Sequence, residues 1–469
     1  MPRTLRRLIP VAALALAVAL DACRFGYGSI AADAGGASSG GADNLPANGG
    51  AAAGSSSDAG SSSDAGSDSG GVANAGTSGI EDGAGSAGMG GVGHMGLGGR
   101  PGEGGTTGGP SRGGNGGMGG SAGKGGSAGS AGGGVDLVNL VVTTAEDEAD
   151  TGATPSSPGK AGFSLREAIT FANTQAGHQS ISFDSGVTTI GLKSALPVVQ
   201  ESLDITGVVL DASGITASAA CLSVAVSGVH LDGLEIHDCQ GEPVLFSSST
   251  SSGNQLTNSY IHDNKKAIVM YGDGALMSNC LVTFSAANGL DIYGTNAQLQ
   301  GNDVAASTGT NYMIHDGANG ASLLANVSIG GGDGIALGAV TGITIWHSTI
   351  VDSVYAGLNV GSATQVDARN NIFVGADTYG VRGADSAFAK LDHNLYFNNT
   401  SGNRNSGSLD ATSIVGDPLF NDPTNFNYEL KTGSPAINKG FNLGVDRNGS
   451  TSGLYNGSAP DIGWSESTF

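Results

Sequence analysis

The sequence predicts an all-β fold, a solenoid of short parallel strands stacked coil on coil behind an unstructured leader, with one short helix at its start. Two sequence units recur through the second half of the chain at steps of about 21 to 24 residues, the length of a solenoid coil. A single segment carries a helical apolar stripe. From Arg24 to about Gly134 the chain holds almost no large apolar residue, so it has nothing to bury.

At the N-terminus, Arg3, Arg6 and Arg7 precede the apolar run Leu8 to Leu20. The run is too short for an ordinary membrane-spanning helix and reads as a signal peptide over residues 1–22. It ends Leu20-Asp21-Ala22-Cys23, which resembles a bacterial lipobox, although Asp21 is an unusual occupant. Cys23 is therefore the expected lipidation site. Arg24 in place of an aspartate implies onward sorting to an outer membrane. Residues 23–134 are Gly, Ser and Ala with scattered Asp, as in "GSSSDAGSSSDAGSDSGG". As a flexible coil of about 110 residues this tether has an r.m.s. span of roughly 60 Å. Glycine contributes 83 of the 469 residues, far above its usual share of about 7%.

The formal net charge is -22 and the pI about 4.4. Such a chain repels phosphate backbones and anionic lipid surfaces, which excludes nucleic acid as a partner and leaves the N-terminal lipid as the only membrane contact. The protein is expected to be a monomer, exported and held at the cell surface or outer membrane, or otherwise secreted.

The folded part begins near Val135, with the cap and first coils over 135–226, the repeats over 227–400 and the C-terminal coils and cap over 401–469. "VDLVNLVVTT" alternates like a strand. "FSLREAITFANT" follows, where Ser164 and Glu167 have the spacing of a capping box. Leu165, Ala168, Ile169 and Ala172 form one apolar stripe. A short amphipathic helix ahead of many strands suits an open solenoid end, whose edge must be covered.

The first repeat unit, Asn-x-x-apolar, starts at Asn258, Asn279, Asn302, Asn326, Asn370 and Asn394. His347 takes the same slot between Asn326 and Asn370. The second unit, a small residue then apolar-x-apolar, starts at Ala267, Gly289, Asn311, Gly334, Gly357 and Gly380. One coil cannot bury its apolar residues alone, whereas stacking buries a continuous column. Asparagine tolerates positive φ at the turns and can bond to the rung above as amide ladders do. His347 is accordingly expected to be a polar rung rather than a catalytic base. Besides Cys23 there are Cys221, Cys239 and Cys280, so one disulfide at most can form; buried thiols are expected. No Cys-x-x-Cys pair points to zinc or redox chemistry.

These repeats resemble the right-handed parallel β-helix proteins, the architecture of pectate lyases and phage tailspikes, over roughly Val135 to Phe469. "FSLREAITFAN" is similar to the Cys-Ser-Leu-Arg-Glu-Ala segment at the start of many secreted β-helix proteins, with Phe163 in place of cysteine. "GDPLFNDPTNFNYELKTGSPAINKG", Gly416 to Gly440, and the late "APDIG" resemble the choice-of-anchor Q region. The resemblance implies a right-handed single-stranded parallel β-helix, a fold that hosts lyases, hydrolases, epimerases, adhesins and inert stalks and does not decide among them.

An active site on such a fold is a patch across adjacent coils. Tyr271, Tyr293 and His315 occupy equivalent positions in three consecutive coils, with Asp291 two residues before Tyr293 and Asp273 and Asp316 close to the same edge. Aromatic faces beside carboxylates hold sugars, and the carboxylates can hold Ca²⁺, so Tyr271, Asp291, Tyr293 and His315 are the candidate binding residues and Asp273, Asp291 and Asp316 candidate ligands. The competing reading is a ladder that packs only on itself. A polysaccharide lyase acting on uronate-containing polymers needs a base and a charge stabiliser, for which Lys265, Lys266, Tyr293, His315 and Arg382 are candidates. A hydrolase needs paired carboxylates, such as Asp291 with Asp273 or Asp316. The Asn-Thr-Asp, Asp-Asp and Gly-His-Gly elements of polygalacturonases are missing.

His237-Asp238 and His262-Asp263 follow Ile236 and Ile261 in successive coils and can hold a metal or move protons, or serve as solvated turn residues, since the next coil has Thr283 and Phe284. "DRNGS", Asp446 to Ser450, lacks the spaced acids of a Ca²⁺ loop and reads as a turn. No complete catalytic set emerges. The sequence therefore favours a surface-tethered β-helix protein that binds polysaccharide, with a lyase or a purely structural stalk as the alternatives.

Overall fold

A computed structural model describes residues 138–447 and 454–468. The signal, Cys23, the 23–134 tether and the end of "DRNGS" (residues 448–450) lie outside them. The described chain winds into a right-handed parallel β-solenoid of about ten coils, each of about 23 residues. Its strands form three parallel sheets. Sheet one has eleven strands from Val138–Val142 to Phe388–Asp392, and sheet two eleven from Thr189–Gly191 to Ile414–Val415. Sheet three has nine, from Leu222–Val224 to Gly402–Arg404.

One coil shows the local logic. Gln255–Thr257 lies in sheet one, Asn258 turns the chain at φ 50, Tyr260–His262 lies in sheet two and Ile268–Met270 in sheet three. The strands have only three residues. In sheets one and two the central residue points inward, as Leu256 and Ile261 do. In sheet three the two outer residues do, as Ile268 and Met270 do. In-register pairing then stacks like on like, for example Leu231, Leu256, Met277, Leu299 and Leu323, all fully buried. Each such side chain contributes about 1.5–3 kcal/mol of burial, which a lone coil cannot capture.

The structure splits the asparagine repeat into two adjacent columns. Asn258, Asn279, His347 and Asn370 occupy a left-handed turn between sheets one and two, at φ 50, 53, 53 and 60. Gly301, Ala325 and His393 fill the same column. Asn302, Asn326 and Asn394 sit one residue later, buried, in a column with Ser259, Cys280, Ser348 and Asn371. The Oδ1 of Asn326 accepts from both the backbone N–H and the Nδ2 of Asn302, each at 3.0 Å, while its own Nδ2 donates to the Leu299 carbonyl at 2.8 Å. Asn371 and Asn394 repeat the arrangement at 2.8 and 3.1 Å. Asparagine suits both columns for different reasons, which is why one series seemed to hold them all.

The helix α1, Leu165–Ala172, has the expected capping box. Ser164 Oγ accepts from the Glu167 N–H, and Glu167 accepts from the Ser164 N–H. Its stripe of Leu165, Ala168, Ile169 and Ala172 is buried against the first strands of sheet one. Arg166 makes a two-pronged ion pair with Asp147, both contacts 2.8 Å, and also donates to the Ser194 and Ala195 carbonyls. Phe163 is buried and meets Phe171 edge-on.

At the other end, the segments Phe420–Asp422 and Asn427–Leu430 pair antiparallel, and the chain returns along the outside of sheet two. Tyr428, Leu430, Ala436 and Ile462 pack there on Val327, Val351, Ile372 and Leu395. His347 sits beneath this return. Its Nε2 accepts from Asn370 Nδ2 at 2.9 Å, and its Nδ1–H donates to the Asp461 carbonyl at 3.1 Å. Burial, and then the Arg447 charge, depress its pKa to about 2. The histidine is thus a neutral polar rung with both ring nitrogens engaged. The cysteines differ from the expectation of thiols. Cys221 and Cys239 form a disulfide, because the entry to the sheet-three strand Leu222–Val224 and the turn after the sheet-two strand Glu235–His237 bring their Cα atoms to 6.2 Å. Among the described residues only Cys280 stays a thiol, and burial pushes it up to about 12.

Asn326→Ala strands a buried N–H and a buried carbonyl, so chemical denaturation should show a loss of about 3 kcal/mol. His347→Asn should fold with near-normal stability, whereas His347→Val forces a β-branched residue into the left-handed region and should cost at least about 2 kcal/mol. The stability gained by keeping His347 neutral is complete above the unfolded value of about 6.5 and is lost progressively as pH falls from there towards the folded value. Acid-unfolding curves of His347→Asn should lose that component.

Candidate glycan-facing site

On sheet three the middle residue of each strand points outward, and so does the residue just after the strand. Register pairing places Ile268, Leu290, Tyr312, Ile335, Leu358 and Val381 in one column, as the second repeat unit requires. Tyr271, Tyr293 and His315 consequently stack on the outside. Tyr271 and Tyr293 lie 4.7 Å apart at 15°, and Tyr293 and His315 4.0 Å apart at 8°. The rings therefore cover one another's faces and present their polar edges, two phenols and an imidazole, to solvent. Both faces of Tyr293 are covered, and only the ring edges remain open to hydrogen bonding.

Asp291 ties the ladder to the strand below. It bonds to His315 Nε2 at 2.8 Å and accepts from Asn288 Nδ2 at 2.7 Å. Tyr293 is 37% exposed, and slight desolvation followed by the Asp291 and Tyr271 charges raises its phenol above the usual value. The neighbouring acids are held separately. Asp273 accepts from Thr295 and Asn296, which lower its pKa, and Asp316 accepts from the Ala339 N–H. Asp273, Asp291 and Asp316 do not gather into a three-ligand metal cluster among the described residues.

The structure unites only part of the candidate lyase set. Tyr293 and His315 touch, with Asp291. Arg382 occupies the Asp291 column four rungs away, through Met313, Ala336 and Asn359, which at the strand spacing is about 19 Å. Lys265 lies in the turn before Ile268–Met270 while the ladder follows it, and Lys266 pairs with Glu242 at 3.0 Å. Neither Lys265 nor Arg382 shares a reacting centre with the ladder.

The His-Asp pairs lie on sheet two. Asp211, His237 and His262 are register partners in three adjacent strands, with Glu235 and Tyr260 forming the parallel column. His237 and His262 stack at 5.0 Å, and Tyr260 stacks on His262 at 4.1 Å. Burial opposes the charged form of His262, but its hydrogen bonds to Glu235 and Asp263 outweigh it and hold the pKa above the ordinary value. Sequence reading picked out the two histidines and the aspartates after them. It missed Asp211, Glu235 and Tyr260, whose only signal was their alternation with inward Leu210, Ile236 and Ile261.

The family described as "Right handed beta helix region" matches residues 266–417. No curated protein matches the chain. Among solved structures, pectate lyase Pel9A superposes with a TM-score of 0.51 at 15% identity, covering 71% of this chain and 97% of that one. The A-module of the Azotobacter vinelandii mannuronan C-5 epimerase AlgE4 gives 0.40 at 11% identity, covering 60% and 89%. The periplasmic alginate epimerase AlgG gives 0.34 at 13%, covering 51% and 74%. At these identities the likeness is one of fold.

Asp291→Asn removes a negative charge beside Tyr293, so its phenol pKa should move down, towards about 10. Ring resonances of Tyr293 followed through an alkaline titration read the change.

Proposed function

We propose that the protein is an exported β-helix protein, held to the outer membrane by a lipid on Cys23, that binds extracellular polysaccharide along the outer flank of sheet three. The observation that carries this reading is the Tyr271–Tyr293–His315 ladder braced by Asp291. Its polar edges recur at the rung spacing, about 4.8 Å, so they form a row that an extended polymer of hydroxyl-bearing units can follow. The fold shared with pectate lyase Pel9A supports polysaccharide as the partner class. Electrostatics narrows the choice of glycan. With a net charge of -22, and with Asp273, Asp291 and Asp316 at the ladder, a neutral or amino-bearing polymer is favoured over a uronate.

A second reading, a lyase on uronate-containing polymers, draws on the His315–Asp291 pair, which orients an imidazole beside a phenol as a base would be. Its weakness is charge stabilisation, because Lys265 and Arg382 stand elsewhere.

The test is affinity electrophoresis and calorimetry of the full chain against neutral, amino-bearing and uronate polysaccharides. At least one neutral or amino-bearing polymer should bind, and Tyr293→Ala should weaken it about tenfold or more, a loss of about 1.4 kcal/mol. Absence of binding to every glycan would leave the structural stalk. Unsaturated, ultraviolet-absorbing product from a uronate polymer, lost in His315→Ala, would establish the lyase. Labelling of wild-type protein by a fatty acid in a cell that processes lipoproteins, abolished in Cys23→Ser, checks the anchor.

A further inference from the structure

We propose that the outward face of sheet two carries a site for a divalent transition-metal ion, held by Asp211, His237 and Asp238. Asp211 and His237 are partners on neighbouring parallel strands. Asp238 follows His237 at φ 62, a left-handed turn that swings its carboxylate back to within 2.9 Å of the imidazole Nδ1. One ligand atom from each of the three residues lies within 4.8 Å of the other two. The donor set is one imidazole and two carboxylates. Ions of the Zn²⁺ type take such mixed nitrogen and oxygen sets, whereas Ca²⁺ prefers oxygen alone.

Two further features point to a cation. The first is uncompensated charge. Asp211, Glu235, Asp238 and Asp263 surround only two imidazoles, and the ion pairs recorded for Glu235, Asp238 and Asp263 go to histidine, not to lysine or arginine. The second is preorganisation. The His237 ring is stacked on His262, which is stacked on Tyr260, so its plane is fixed before any ion arrives. The side chains of His237 and Asp238 remain 19% and 49% exposed, which leaves the outer positions of the ion open to water.

The neighbouring coil explains why the site belongs at His237. His262 repeats the pattern with Asp263, but both of its ring nitrogens are engaged, Nδ1 with Asp263 at 2.8 Å and Nε2 with Glu235 at 3.3 Å. Among the described residues His237 bonds through Nδ1 alone. The cluster stands on a different sheet from the Tyr271–Tyr293–His315 ladder, so this inference does not depend on glycan binding.

The test is calorimetric titration of chelator-treated full-length protein with ZnCl₂ and, separately, CaCl₂, alongside thermal unfolding with and without each ion. Wild type should take up one tight equivalent of Zn²⁺, at micromolar or better affinity, with no comparable Ca²⁺ equivalent. Zn²⁺ should raise its unfolding temperature. His237→Ala should lose that equivalent and the thermal shift, Asp211→Asn should weaken it about tenfold or more, and His393→Ala, at an unrelated His-Asp pair, should keep it. If His237→Ala does not fold, Asp211→Asn carries the comparison. Wild type with only millimolar Zn²⁺ affinity, Ca²⁺ bound as tightly as Zn²⁺, or an unchanged equivalent in the folded variants would overturn the assignment.

Discussion

Among the described residues, each interior strand of the three parallel sheets is hydrogen-bonded to the equivalent strands of the coils before and after it, and the other features depend on that alignment. Parallel pairing without slippage turns a repeat in sequence into a column in space. Inward columns of Leu, Ile and Val become one continuous core, as Leu231 to Leu323 do in sheet one. Buried amides become a chain in which the Asn326 side chain satisfies both an N–H and a carbonyl of the preceding rung. A slip of one residue would send each inward side chain outward, so the apolar pattern and the hydrogen bonds enforce the same register.

The same alignment governs chemistry on the outside. A group in one column reaches its own rung and the next, and little beyond. Tyr293, His315 and Asp291 therefore form a unit, while Arg382, in the Asp291 column, is too far to serve it. Sheet two divides by the same rule. Its early coils present Asp211, Glu235, His237, Tyr260 and His262 to solvent, and its later coils present Val327, Val351, Ile372 and Leu395. The apolar half cannot stay wet without cost, and the returning C-terminal chain covers it. His347 and Asn370 fasten that cover, through the Asp461 and Phe441 carbonyls.

Much of this was legible in the chain itself. The repeat steps gave the coil, the second unit gave the correct register of sheet three, and Ser164 with Glu167 marked the helix start. The errors have physical causes. Asn258 and Asn302 look alike in sequence, yet one occupies a left-handed turn and the other a buried amide slot, because asparagine meets both demands. Cys221 and Cys239 are 18 residues apart, and only the path of the coil shows that they meet. The ladder of Tyr271, Tyr293 and His315 was visible as a spacing, but not the ring angles that close its faces and leave its edges open.

Composition and period were enough to determine a parallel β-solenoid with one helix at its start, since burial of a period-two pattern in 23-residue coils has few other solutions. They also indicated that His347 is a rung, since Asn258, Asn279 and Asn370 of the same series occupy the same turn. Tertiary structure alone decided which outward groups act together. Contacts between coils join residues more than twenty positions apart, and their geometry depends on ring orientation, turn conformation and the path of the C-terminal chain. Those are properties of the stacked coils, absent from any one of them.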